Sequence, residues 1–222
     1  MIKLEIACFD LSSALTAVKA NVDRIEFCEN YHLGGITPNI EDFKSLRKQT
    51  KIPIYVMIRP RDRNFVYNTS ELNVMMTSIE EFKQLGADGF VFGCLTSNNE
   101  LDVDANKKLL QVSDGLPCTF HRAFDKTPNL IASLEKIIDL GFKAVLSSGG
   151  KSQAMEGIEM LEQMQRVANN KIEIVCGGGV RSSNMNELKQ LLQPSYFHSS
   201  GIIEGDFASY EEIIKLKTAI NS

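Results

Sequence analysis

No stretch of this 222-residue sequence approaches the ~20 consecutive apolar residues that a membrane-spanning helix requires. Nor is there a run of basic residues, and 24 Lys+Arg against 28 Asp+Glu leave a formal net charge of −4. Nucleic-acid-binding domains normally carry a basic face or stripe, so that class of partner is excluded, as is a membrane. The opening MIKLEIACFD turns amphipathic at once, without the apolar stretch and small-residue cleavage site of a signal peptide. The five cysteines (Cys8, Cys28, Cys94, Cys118 and Cys176) are odd in number, widely spread and free of any CxxC pair. These absences lead to the expectation of reduced thiols in a cytoplasmic protein. No GxSxG is present either, which removes the nucleophile elbow of a Ser-His-Asp hydrolase.

What is present is ordinary globular composition, 43% hydrophobic and 23% charged. A chain of this length can bury roughly 70% of its unfolded surface and needs no disulfides for stability. Short apolar runs alternate with amphipathic helical stretches. Strands are expected at 3–8 (KLEIAC), 23–28, 53–58, 88–93, 116–121, 143–148, 171–176 and 195–200. Between them the spacing predicts helices, with Ser70 and Glu71 as a capping signature for the helix over SELNVMMTSIEEFKQLG. Leu-Gly pairs at 85–86 and 140–141 supply cheap helix stops. Strict β–α alternation implies a parallel sheet with helices outside. Eight units favour a closed barrel over an open doubly wound sheet. The expected fold is therefore α/β, a single (β/α)8 TIM barrel over residues 1–222.

Function in that fold sits at the C-terminal ends of the strands. Side chains alternate along a strand, and anchoring the inward set on polar residues gives Glu5 with Ala7, Glu26 with Cys28, Met57 with Arg59, and Thr119 with His121. The complementary set (Leu4, Ile6, Ile25, Phe27, Val56, Ile58 and Phe120) is apolar and should face the helices. Two carboxylates, an arginine and a histidine would then project into the barrel mouth, with Arg122, Asp125 and His198 beside them. Burial would raise the glutamate pKa values and pairing with Arg59 would lower them. Were one to stay protonated, Glu5 and Glu26 could divide the roles of acid and base. His121 reads either as a core histidine or, given two arginines and an aspartate nearby, as an active one.

Two glycine runs, SSGGK at 147–151 and CGGGVR at 176–181, follow strands six and seven. Glycine lets backbone amides approach an anion, and a following helix adds its positive dipole end. Ser148, Gly149, Gly150, Lys151, Gly178, Gly179, Arg181 and Ser199 are the candidate anion-binding set. Tight turns also favour glycine, so the runs alone do not decide. Among the thiols, Cys8 and Cys28 end adjacent strands, and two thiolates suit the soft ion Cu(I). Alternation opposes this pairing. Cys28 shares the inward face with Glu26, whereas Cys8 lies three residues after Glu5 and so faces the other way.

The segments LEIACFD, DRIEFCEN, LGGITP, MIRPR, GADGFVFG, TFHRAFD, LSSGGK, GGGVR and FHSS occur in order. Together they resemble the CutC family, usually labelled copper homeostasis proteins, over nearly the whole chain from Leu4 to about Ser200. The resemblance implies a TIM barrel, a cytoplasmic location, a homo-oligomer (dimer or tetramer), and Cu(I) binding at positions matching Cys8 and Cys28. It also implies barrel-mouth residues at Glu5, Glu26, Arg59, His121, Arg122, Asp125 and His198. The chain departs from the family pattern at Asp62, Arg63 and Asn64, where Gly-Gly-Asp is common. Two functional readings follow: a copper-binding homeostasis protein, or an enzyme performing acid–base chemistry on a small anionic substrate, of phosphorylated or sugar-like kind.

Overall fold

The computed structural model describes residues 2–221. Eight strands alternate with eight α-helices along the chain. The strands are β1 (Lys3–Cys8), β2 (Arg24–Phe27), β3 (Ile54–Met57), β4 (Gly89–Phe92), β5 (Cys118–Phe120), β6 (Ala144–Ser147), β7 (Glu173–Gly177) and β8 (Tyr196–Ser199). The helices are α1 (Leu11–Lys19), α2 (Ile40–Gln49), α3 (Thr69–Gln84), α4 (Val103–Val112), α5 (Leu130–Leu140), α6 (Ile158–Ala168), α7 (Ser182–Leu191) and α8 (Tyr210–Asn221). Each strand pairs in parallel with the next, and β8 closes on β1. The fold is the TIM barrel that the alternation predicts.

The division of faces follows from the two-residue period of a strand. Leu4, Ile6, Ile25, Phe27, Val56, Ile58 and Phe120 all join the main apolar layer, together with helix residues such as Phe43, Phe82, Leu109 and Leu134. Fully burying each such side chain is worth roughly 1.5–3 kcal/mol, so this outer layer carries the stability. The barrel interior holds only small apolar groups, Ala144, Leu146, Val175 and Tyr196 in one and Cys28, Met57 and Val91 in another. That leaves room inside for charged side chains.

Helix ends show local chemistry at work. Asp10 caps α1 by accepting the Ser13 amide at 2.8 Å. The cap of α3 is Asn68 rather than Ser70: its side chain accepts the Glu71 amide while Glu71 accepts the Asn68 amide. Glu71 at the third helical position completes a reciprocal capping box, which Ser70, adjacent to it, cannot form. Helix α5 ends at Gly141, whose φ of 97° suits a residue without Cβ.

Candidate active site in the barrel mouth

The register across β8, β1 and β2 sets Glu5 opposite both His198 and Arg24. Arg24 Nε forms a close ion pair with Glu5 Oε2, and its guanidinium is stacked 3.7 Å from the Tyr196 ring centroid and 4.4 Å from that of Tyr55. His198 Nδ1 lies 2.7 Å from Glu5 Oε1. Burial works against the Glu5 carboxylate, but Arg24 and then His198 outweigh it and hold its pKa down at about 2. Burial likewise disfavours a charged His198, yet Glu26 and Glu5 raise its pKa above the usual imidazole value. The carboxylates' cationic partner is therefore Arg24, not Arg59. Arg24 stands two residues before Glu26 and so shares its inward face, a signal that alternation already contained.

Glu26 has a different environment. Its Oε1 accepts from the Cys28 thiol at 3.2 Å, while Oε2 has no hydrogen-bond partner and lies 4.0 Å from His198 Nδ1. Burial dominates and raises its pKa. Two inward glutamates on adjacent strands are thus pushed in opposite directions, one held ionised and one biased toward the protonated form.

His121 follows β5 and caps the short 3₁₀ turn Arg122–Lys126. Its Nδ1 accepts the Ala123 amide hydrogen at 3.3 Å, which assigns the ring proton to Nε2. That Nε2 is buried without a partner. Burial and the neighbouring Arg59 charge lower its pKa to about 3, so the ring is neutral. Arg59 is committed to the loop after β2: its Nη1 donates to Leu33 O at 2.9 Å and Gly35 O at 3.0 Å, and its Nε is buried unpartnered.

Arg122 and Asp125 clip two loops together. Arg122 Nε donates to Asp125 Oδ2 at 2.9 Å and Nη2 to Ser148 Oγ at 2.6 Å. Asp125 in turn accepts the Ser148 and Gly150 amides at 3.1 and 3.0 Å and the Ser147 hydroxyl at 2.5 Å. The Gly149 amide goes to Ser147 Oγ, and Lys151 is exposed on the surface. The glycine turn after β6 thus already holds an anion, the Asp125 carboxylate. A shallow depression of about 530 Å³ beside it, against Thr127–Leu130 and Gly149–Lys151, has these amides turned to Asp125. After β7 the arrangement differs. Among the described residues no acceptor engages the Gly178 and Gly179 amides, and Arg181 reaches Ser199 Oγ and Ser200 Oγ, both at 3.3 Å.

Phe9, Glu26, Met57, Arg59, His121 and His198 line a cavity of about 180 Å³ in the mouth, with Arg122 and Leu146 at its edge. Cys28 packs with Met57 inside the barrel, whereas Cys8 belongs to the apolar layer beneath the helices and its thiol turns to Ile6 O. Burial, first, and nearby carboxylates raise both thiol pKa values well above normal. Glu5, Glu26 and His198 also bring one ligand atom each within 4.8 Å of one another. This set is two carboxylates and an imidazole, without sulfur, and Glu5 in it is already neutralised by Arg24.

Comparison with known proteins gives a consistent result. The model of the CutC family matches residues 2–203. A Caenorhabditis elegans protein named copper homeostasis protein cutC homolog is 40% identical over 203 residues, covering 91% of this chain and 81% of that protein. The Homo sapiens protein of the same name is 36% identical, covering 89% and 72%. The crystal structure of CutC from Streptococcus agalactiae superposes with a TM-score of 0.85 at 36% identity, covering 90% of this chain and 99% of that one. The chain belongs to the CutC family.

Proposed function

We propose that this protein serves copper homeostasis, as its relatives' names state, by holding Cu(I) in the barrel mouth. The observation that carries the reading is the packing of Cys28 with Met57 in one cluster, a thiol and a thioether, with Met57 reaching the cavity that His198 also lines. Sulfur and imidazole are the donors Cu(I) prefers. Glu26, a hard oxygen donor, serves instead as acceptor of the proton that Cys28 releases on binding, since the thiol already donates to it. Cys8 joins this set only if the end of β1 turns its side chain through the sheet. The reading places the protein in the cytoplasm as a homo-oligomer, and five unpaired thiols suit a reducing compartment.

An anaerobic Cu(I) competition titration against a calibrated chelator tests it, on wild type and on Cys28→Ser, Met57→Leu and Cys8→Ser. Stoichiometric binding should vanish in Cys28→Ser, weaken in Met57→Leu and survive in Cys8→Ser. Binding indifferent to Cys28→Ser sinks the proposal.

A second reading is an enzyme acting on a small anionic substrate by acid–base chemistry. It is favoured by two unpartnered buried atoms, Glu26 Oε2 and His121 Nε2, the second of which has no part in the copper reading.

A further inference from the structure

Buried polar atoms in native proteins are almost always hydrogen-bonded, and each exception asks for a reason. Glu26 Oε2 and His121 Nε2 are two such exceptions, and both side chains line the same cavity of about 180 Å³. They are complementary in kind. His121 presents a hydrogen-bond donor, because Ala123 fixes the proton on Nε2. Glu26, when ionised, presents a carboxylate oxygen that accepts, and the burial that favours its protonated form makes that carboxylate the stronger base.

A ligand that satisfies both must offer an acceptor to His121 and a hydrogen to Glu26 within a few atoms of each other. A carbonyl oxygen and the hydrogen on the adjacent carbon meet that requirement. We propose that the barrel mouth catalyses proton transfer next to the carbonyl of a short α-hydroxy aldehyde or ketone carrying an anionic tail. This rests on the enzyme reading above and names its reaction and substrate class.

The step balances without any co-reactant. Glu26 Oε2 removes the α-hydrogen as a proton, and the C–H electron pair becomes the C=C bond of an enediolate. The carbonyl π pair moves onto oxygen, where the His121 Nε2–H stabilises it. Returning the proton from Glu26 to the former carbonyl carbon, while His121 passes a proton between the two oxygens, yields the isomeric carbonyl compound. His121 is suited to this because its pKa of about 3 keeps it neutral, and a neutral imidazole can both donate and recover a proton. The anionic tail has a place to rest. The Gly178 and Gly179 amides have no acceptor among the described residues. The Arg122 guanidinium, at the cavity edge, comes within 3.3 Å of where a Gly178 Cβ would stand.

Two measurements test the proposal. The first is deuterium incorporation at the α-carbon of dihydroxyacetone phosphate and of ribulose phosphate, followed by proton NMR in deuterium oxide. The second is calorimetric binding of phosphoglycolate, whose carboxylate mimics the enediolate. Wild type should exchange at least one substrate well above the buffer rate and bind phosphoglycolate. Glu26→Gln and His121→Gln should each lower exchange by about 10²-fold or more, with Cys94→Ser unchanged. Phosphoglycolate binding without exchange overturns the proton-transfer step and leaves an anion-binding mouth. Neither binding nor exchange overturns the enzyme reading as a whole. Exchange that survives both Glu26→Gln and Glu26→Asp removes Glu26 as the base.

Discussion

The carboxylate of Asp125 accepts the Gly150 amide at 3.0 Å, from across the gap between the loops after β5 and β6. With the Ser148 amide, two serine hydroxyls and Arg122 around it, that carboxylate has the company a bound anion would seek. The glycine turn is a built anion nest, and the chain supplies the anion itself.

Removing that anion should make the nest visible. Asp125→Ala leaves Arg122 and two amides without their acceptor, at a cost of about 3 kcal/mol, since hydrogen bonds to charged groups are worth about 1.5–3 kcal/mol each. Sulfate or phosphate should then raise the thermal midpoint of Asp125→Ala more than that of wild type. An equal response in both proteins, measured by calorimetry, would rule the nest out.

His121 should leave a mark on acid stability. Its folded pKa of about 3 lies below the ordinary imidazole value of about 6.5, so the unfolded chain takes up a proton that the folded one refuses. Its contribution is complete above about pH 6.5 and is lost progressively as pH falls toward about 3. The slope is about 1.4 kcal/mol per pH unit within that window. Denaturant titrations of His121→Gln should show a shallower slope between pH 6 and 4 by about that amount.

Arg24 is expected to be far more sensitive than an exposed arginine. Arg24→Leu leaves the buried Glu5 carboxylate with His198 as its remaining partner, and breaking a buried pair from one side costs about 3–5 kcal/mol. The Glu5 pKa should then rise, because burial is opposed by His198 alone. Wild type keeps the Glu5 contribution above about pH 4.5 and sheds it as pH falls toward about 2, whereas Arg24→Leu should lack this acid transition. Urea unfolding across pH separates the two effects.

The segment that departs from the family pattern has a backbone cost. Arg63 sits at φ 74°, in the left-handed region, where an L side chain costs about 1–2 kcal/mol. Arg63→Gly should therefore stabilise the protein by about 1 kcal/mol or less, because glycine loses more entropy on folding. A lower unfolding midpoint in Arg63→Gly would show that the arginine earns its place by a contact instead.

The barrel and its inward face were legible because period two separates Glu5, Glu26 and His121 from Leu4, Ile25 and Phe120 without ambiguity. Register was not legible, since alternation says which face a residue takes but not which neighbour it meets. That is why Arg59 was expected beside the glutamates and Arg24 stands there instead, through the pairing of Glu5 with Arg24. Asp125 was visible as a polar residue near His121. Its meeting with Gly150 depends on two loops converging in space. The strands are also shorter than their apolar runs, as at β5, where Leu116, Pro117 and His121 lie outside the strand Cys118–Phe120.

The stack of Arg24 between Tyr55 and Tyr196 has a consequence for traffic through the molecule. It fills the barrel where the strands begin, since Arg24 and Tyr196 open β2 and β8 and Tyr55 is the second residue of β3, so the interior works as a cup and not as a tube. Whatever occupies the mouth must arrive and depart by the same opening. Entry and exit then compete for one path, and a molecule leaving the mouth must clear it before another can enter.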